Sequence, residues 1–175
     1  MILKKICKYF LGILLGLPLF ILILACPALE ITKIILFIRS NGEFPLYFAL
    51  EISYLVVAIF GPFLLISLII ANCCFGSTIS KHGLQKILMW LLLLWIIIAI
   101  LYTHYTWNEM NNIPFFCPST YEYMFAENRI ACQIRTANLL SMWSFLLLSI
   151  LWVQFLCADW IDENLVITNK LVNDE

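Results

Sequence analysis

The chain carries little charge for its length. Of its 175 residues only 12% are Asp, Glu, Lys or Arg, whereas 63% are hydrophobic; soluble domains carry about 25% charged residues. The formal net charge is -1, so the chain lacks the basic surface that nucleic-acid binding requires. The composition excludes an ordinary soluble domain, and we expect no nucleic-acid partner.

Motifs of soluble enzymes are also missing. The sequence contains no His-Glu-x-x-His, no glycine-rich phosphate loop and no Gly-x-Ser-x-Gly. Its two histidines, His82 and His104, are predicted on opposite sides of a membrane, which argues against a histidine metal site. We therefore predict a protein that is not an enzyme and has no catalytic residue, metal site or cofactor.

What the chain has instead is four long apolar runs, at about residues 10–29, 48–71, 87–105 and 139–158. A helix of about 20 apolar residues crosses the hydrocarbon core of a bilayer. The sequence therefore predicts an all-α integral membrane protein, in which residues 1–175 form one four-helix bundle. The longest connection, residues 106–138, is too short for an independent domain.

The first run can be interpreted in two ways. Lys4 and Lys5 followed by an apolar stretch resemble a signal peptide, and residues 23–26 faintly resemble a lipoprotein cleavage box. The stretch is longer than the usual signal core, which favours an uncleaved span. This span could continue as a helix to residue 38, with Pro18 and Pro27 as candidate kinks.

The basic residues predict the orientation of the bundle. Six of them fall on the side of the termini and the second connection, and four fall on the opposite side. Because cytoplasmic loops are enriched in Lys and Arg, both termini are predicted to be cytoplasmic, with residues 159–175 as a short acidic tail. We expect a multi-pass protein of the plasma membrane or the secretory pathway.

Two cysteines of the third connection, Cys117 and Cys132, are predicted to form a disulfide. The predicted topology puts them on the non-cytoplasmic side, where disulfides persist. Their bond would close a loop of about 16 residues, worth roughly 3 kcal/mol in the chain-entropy model. A redox-active pair is the alternative, but active pairs are usually close in sequence, and the chain has no Cys-x-x-Cys.

A second pair, Cys73 and Cys74, lies at the predicted cytoplasmic end of the second span. Juxtamembrane cysteines are candidates for S-palmitoylation, and Cys7 has a similar position. The alternative is that they are small apolar residues at a helix end.

Ionisable residues near the non-cytoplasmic ends of the spans predict a polar layer within the membrane. Such residues are functional candidates by default. Their alternative role is to join helices by hydrogen bonds or to reach the interface. An ion path needs polar residues at several depths, and these share one depth, which favours the structural role. The predicted members are Glu30, Lys33, Glu51, His104 and Arg135.

The layout and one local segment resemble MARVEL-type tetraspan proteins. Residues 128–138, Asn-Arg-Ile-Ala-Cys-Gln-Ile-Arg-Thr-Ala-Asn, are similar to the junction of fungal MARVEL proteins in which a loop cysteine precedes a basic, alanine-containing entry to the last helix. The chain departs from the pattern at Glu30 and Lys33 and at Pro62 within the second span. The resemblance implies a membrane organiser that acts in lipid-domain assembly, vesicle traffic or junction-like association.

The prediction for function is therefore a non-enzymatic multi-pass protein that organises membrane domains or assists vesicle traffic. Its expected partners are membrane lipids and other membrane proteins or further copies of itself. Two alternatives stay open. One is a small transporter or channel subunit that uses the polar layer, and the other is a thiol-redox membrane enzyme built on Cys117 and Cys132.

Overall fold

The computed structural model describes residues 2–39, 46–75, 81–108, 113–123 and 126–157, and all the regular secondary structure in these ranges is helical. The predicted all-α class is confirmed for this part of the chain. The described residues form four helices that follow one another: α1 Ile2–Arg39, α2 Phe48–Phe75, α3 Lys81–Asn108 and α4 Ala126–Cys157.

Within the described residues, three helical segments are long and apolar enough to cross a membrane, namely Phe10–Arg39, Gln85–Trp107 and Glu127–Phe155. A fourth apolar segment, Phe48–Leu64, is shorter, although α2 as a whole has 28 residues. At 1.5 Å per residue, the 38 residues of α1 measure about 57 Å, which exceeds the ~30 Å hydrocarbon core. Part of α1 must therefore tilt or extend beyond the bilayer.

Helix α1 runs without interruption through both of its prolines, Pro18 and Pro27. Each proline lacks an N–H donor, so the carbonyl four residues earlier loses its helical partner. Helix α2 likewise continues through Pro62. Prolines are tolerated within membrane helices because neighbouring groups can satisfy the freed carbonyls.

Helix α4 begins at Ala126, well before the predicted start of the fourth span at residue 139. The apolar run missed this part because it contains several polar residues. Its buried positions nevertheless recur every three or four residues, as expected for one face of a helix: Asn128, Ala131, Cys132, Arg135, Asn138, Leu139, Met142 and Leu146. Glu127 lies in the first turn, where the helix dipole favours a negative charge.

Each helix packs mainly against two neighbours, so that the helices form a ring in the order α1, α2, α3, α4 and back to α1. The main apolar core lies between them and includes Tyr54, Trp95, Tyr102 and Met142. A smaller cluster of Phe37, Cys117, Ala131 and Cys132 lies where the 113–123 segment meets the end of α1 and the start of α4.

The outer surface of the helices is apolar. Large hydrophobic side chains are well exposed along every helix, among them Leu17, Phe63, Trp90 and Leu147. Soluble monomers rarely expose continuous apolar surface on this scale. The exposed surface thus suits contact with lipid, in agreement with the three membrane-length segments.

Candidate functional site

The candidate site contains two charged residues of α1. Glu30 and Lys33 are three residues apart, so they lie on the same face of the helix. Both side chains are completely buried. Burying a charge is costly unless partners satisfy it, and the partners of these two come from the other three helices.

Helix α2 supplies Glu51, which pairs with Lys33. The Lys33 ammonium lies 2.7 Å from Glu51 Oε1, and both side chains are fully buried. Glu51 is in the first turn of α2, which begins where the Leu50 and Glu51 N–H groups bond to the Tyr47 carbonyl. The Glu51 carboxylate is therefore stabilised both by the Lys33 ammonium and by the dipole of α2.

Helix α3 supplies Tyr102, whose hydroxyl connects the other polar groups. It accepts a hydrogen bond from Lys33 Nζ at 3.0 Å and donates to Glu30 Oε2 at 2.8 Å. Glu51 Oε2 lies farther away, at 3.4 Å. Since a hydroxyl has one proton, the shorter distance makes Glu30 its main acceptor.

Helix α4 supplies Asn138. Its amide nitrogen donates to Glu30 Oε2 and, at 2.8 Å, to the Tyr102 hydroxyl. The site thus draws on every helix, and all its members are fully buried. We refer to these residues as the polar layer: Glu30, Lys33, Glu51, Tyr102 and Asn138.

The polar layer holds more negative than positive charge. It contains two carboxyl groups and one ammonium, so it carries an excess of one negative charge when both carboxyls are ionised. Two of its buried oxygens, Glu30 Oε1 and Asn138 Oδ1, have no hydrogen-bond partner among the described residues. Chemically, the layer can join four helices, and it can also take up one proton or a small cation.

Aromatic rings enclose the ammonium and the adjoining core. Lys33 Nζ lies 4.7 Å from the ring centroid of Tyr102 and 5.2 Å from that of Phe37, distances at which a cation is attracted to a ring. Tyr54 packs on Tyr102 with ring centroids 4.7 Å apart and meets Trp95 edge-on. These rings exclude water from the layer and strengthen its electrostatic interactions.

The segment 113–123 covers the layer at the end of the bundle, through the small cluster around Phe37. Cys117 and Cys132 lie at disulfide-bonding distance with Cα atoms 5.9 Å apart, as the sequence predicted. The Thr136 hydroxyl donates to the Phe115 carbonyl at 2.8 Å and fixes the segment to α4. Both cysteines are buried, which shields them from thiol exchange.

Two predicted members of the polar layer lie elsewhere. Arg135 is buried, but its Nε and Nη2 donate to the Thr106 carbonyl near the end of α3, at 3.2 and 2.8 Å, and it packs on Phe115. His104 is exposed and contacts Tyr105 edge-on. The structure therefore does not bring His104 together with the buried polar groups, because its position in α3 turns it outward, two residues from the inward-facing Tyr102.

Sequence patterns did not point to Tyr102 or Asn138. Tyr102 lies near the end of the third apolar run, and Asn138 is the last residue of the predicted third connection. The signal that could have found Asn138 is the helical spacing of residues 128–146 described above. Tyr102 carries no such signal, because tyrosine is common both in interfaces and in cores.

Other predicted sites fall outside the described parts of the chain. The side chains of Cys7, Cys73 and Cys74 are not described, and residues 159–175 lie beyond the described range. Within the described residues, no group of three or more His, Cys, Asp or Glu side chains could hold a metal ion.

Comparison with known proteins adds no relative. The chain matches no protein-family model, no curated protein and no solved structure.

Proposed function

We propose that the chain is a four-span membrane protein with cytoplasmic termini that organises membrane domains or assists vesicle traffic, without catalysis. The observation that carries this proposal is that the polar layer lies at one level of the bundle and joins all four helices. Polar side chains that hydrogen-bond to one another across helices hold those helices in one arrangement, as a structural protein requires.

The distribution of charge along the chain favours a structural role for the polar layer over a transport route. Transport routes place ionisable groups at several depths. Here no Asp, Glu, Lys, Arg or His occurs in residues 10–29, 52–80, 87–103 or 136–158. The polar layer therefore has no charged continuation toward the other side of the membrane.

The proposal includes α2 as the fourth membrane span and cytoplasmic termini. Helix α2 has 28 residues, none of those after Glu51 is charged, and this length is enough to cross a bilayer. The six-to-four distribution of basic residues favours cytoplasmic termini. Accessibility of tags placed at both ends, measured in sealed cells, tests the topology, and a tag labelled from outside would contradict it.

The organising role has two supports. The exposed surface of the helices is apolar, so lipid and neighbouring membrane proteins are the natural partners. The resemblance of residues 128–138 to MARVEL-type proteins points to the same role. We expect membrane lipids and other membrane proteins, or further copies of this chain, as the partners.

Reconstitution tests this role. The purified full-length protein, labelled with a fluorophore, is placed in giant vesicles made from a phase-separating lipid mixture. An organiser should concentrate in one lipid phase or form clusters, and it should alter the domain pattern. A uniform distribution with unchanged domains would contradict the proposal.

A small transporter or channel subunit is the second candidate, and the unpartnered oxygens of Glu30 and Asn138 favour it. Together with the excess carboxyl group, they provide a place for a proton or small cation. Proton and cation flux into liposomes separates the two candidates. Our main proposal predicts flux at background, whereas flux that disappears in Glu51→Gln would support transport.

A further inference from the structure

A second internal feature lies in the half of the bundle away from the polar layer. It is a cavity of about 300 Å³ to which all four helices contribute. Its lining includes Leu19 of α1, Gly61 of α2, Trp95 of α3, and Ser149 of α4. These residues are about two to three helical turns from the polar layer along each helix. We call this part of the bundle the apolar half.

Two of the residues that line the cavity, Gly16 and Gly61, are glycines. A Cβ atom added at Gly61 would meet nothing closer than the Trp95 indole nitrogen, at 3.9 Å. At Gly16 an added Cβ would lie 3.3 Å from the Trp152 ring, so the ring occupies the space that the missing side chain leaves. Side chains in a well-packed core normally fill such space, and this cavity is larger than a simple packing defect.

The chemistry of the lining selects hydrocarbon. Among the described residues that line the cavity none is charged, and their only side-chain polar groups are the Ser149 hydroxyl and the indole N–H groups of Trp95 and Trp152. Apolar cavities of about half this size stay dry and bind small apolar molecules. The volume is at the lower end of the range for ligand sites, roughly 300–1,000 Å³.

The cavity opens toward the surface that lipid would cover. Phe20, one of its lining residues, is 61% exposed. Its neighbours Leu17, Ile21 and Leu24 are exposed to a similar extent. An occupant can therefore enter sideways from the membrane, where lipid acyl chains are the surrounding hydrocarbon.

We propose that this cavity binds one acyl chain of a membrane lipid. Acyl chains are as apolar in the bilayer as the lining of the cavity, so moving an acyl chain from the bilayer into the cavity gains little hydrophobic free energy. The gain comes from dispersion contacts that the walls of an empty cavity lack. A sterol or a quinone also needs partners for its hydroxyl or carbonyl groups, and the lining offers few. The proposal stands independently of the function proposed above.

Photo-crosslinking in vesicles tests it. The probe is a phosphatidylcholine with a diazirine on one acyl chain, mixed into vesicles that contain the full-length protein. We expect labelled residues to include inward-facing positions of the cavity, such as Leu19 and Ser149. Leu19→Trp fills the cavity and should abolish this label, whereas Leu17→Trp, two residues away on the lipid-facing side, should retain it.

Two further measurements keep the test decisive. If Leu19→Trp fails to fold, as judged by size-exclusion chromatography and helical circular dichroism, Ser149→Leu replaces it as the filling variant. Label confined to exposed positions, or unchanged by filling, would overturn the proposal. Loss of the cavity label on adding excess sterol or quinone, but not excess unlabelled phospholipid, would also overturn it in favour of that ligand.

Discussion

The two halves of the bundle are held together by different means. In the polar half, the helices are joined by buried ionic and hydrogen bonds and covered by the disulfide-linked segment 113–123. In the apolar half, contacts are between hydrophobic side chains, and they leave a cavity of about 300 Å³. One half fixes which helices meet and in what register, whereas the other tolerates empty space.

This difference follows from the solvent. Lipid tails are as apolar as leucine, so burying leucine between helices gains little in a membrane. A carboxylate facing lipid, by contrast, costs roughly 2.5–3.5 kcal/mol near the centre of a bilayer. Polar groups therefore strongly favour the arrangement that pairs them, while apolar surfaces accept several. Substitutions in the two halves should accordingly differ in effect.

The largest effect is expected from Lys33→Leu. It removes the only ammonium of the polar layer and leaves two carboxyl groups buried together, so we expect a loss of about 3–5 kcal/mol in the free energy of unfolding. Reversible unfolding in bicelles, followed by tryptophan fluorescence, measures it. Lys86→Leu, which removes an exposed lysine of α3, is the control and should change stability little. Equal effects of the two variants would contradict our account.

Loss of the disulfide should come next. Replacing both Cys117 and Cys132 by alanine releases a loop with a sequence separation of 15, which should cost about 3 kcal/mol. Thermal unfolding of the variant and of the parent protein gives the difference. Peptide mapping without reductant checks the bond itself, and free thiols at both positions in promptly alkylated protein would refute it.

Glu51 provides a graded comparison within the polar layer. Glu51→Gln retains an oxygen that can accept the Lys33 hydrogen bond, so we expect a loss below about 1.5 kcal/mol. Glu51→Leu removes the acceptor and should cost about 1.5–3 kcal/mol. The remaining Glu30 carboxylate limits this loss, because it can still balance the charge of Lys33. Equal stability of the two variants in the same unfolding assay would show that the bond to Lys33 contributes nothing.

The smallest effect is expected in the apolar half. Gly61→Ala adds a methyl group where the nearest atom is 3.9 Å away, and alanine favours the helix by up to about 1 kcal/mol over glycine. We expect unchanged or slightly increased stability. Gly16→Ala is the matched control, since its added Cβ would crowd Trp152 at 3.3 Å, and it should be the less stable of the two. The reverse order would show that the cavity is closed in the membrane.

The sequence was informative about the helices because long apolar runs have few other interpretations. It correctly indicated helices with membrane-length apolar segments in the described part of the chain, and the pairing of Cys117 with Cys132. The fourth apolar run starts at residue 139 whereas α4 begins at Ala126, because residues 126–138 combine polar and small residues. A helix face of buried polar side chains is predicted as a loop when hydrophobicity is the only criterion.

The candidate site was predictable only in part. Glu30, Lys33 and Glu51 were identified because charges within apolar runs are rare. Their partners Tyr102 and Asn138 were not, since neither residue type is unusual near the end of a span. His104 shares the depth of these residues but points outward, because the sequence indicates depth along a helix and not the direction of the side chain. The rotation of a membrane helix is set by its neighbours, and this information comes only from the packed structure.

A double-mutant cycle on Lys33 and Glu51 tests most directly whether the polar layer ties the helices together. The free energies of unfolding of Lys33→Leu, Glu51→Leu and the variant with both changes are compared with that of the parent protein in bicelles. Our account predicts that the double variant loses less than the sum of the single losses, with a coupling of more than about 1 kcal/mol. Losses that add to within about 0.5 kcal/mol would contradict it.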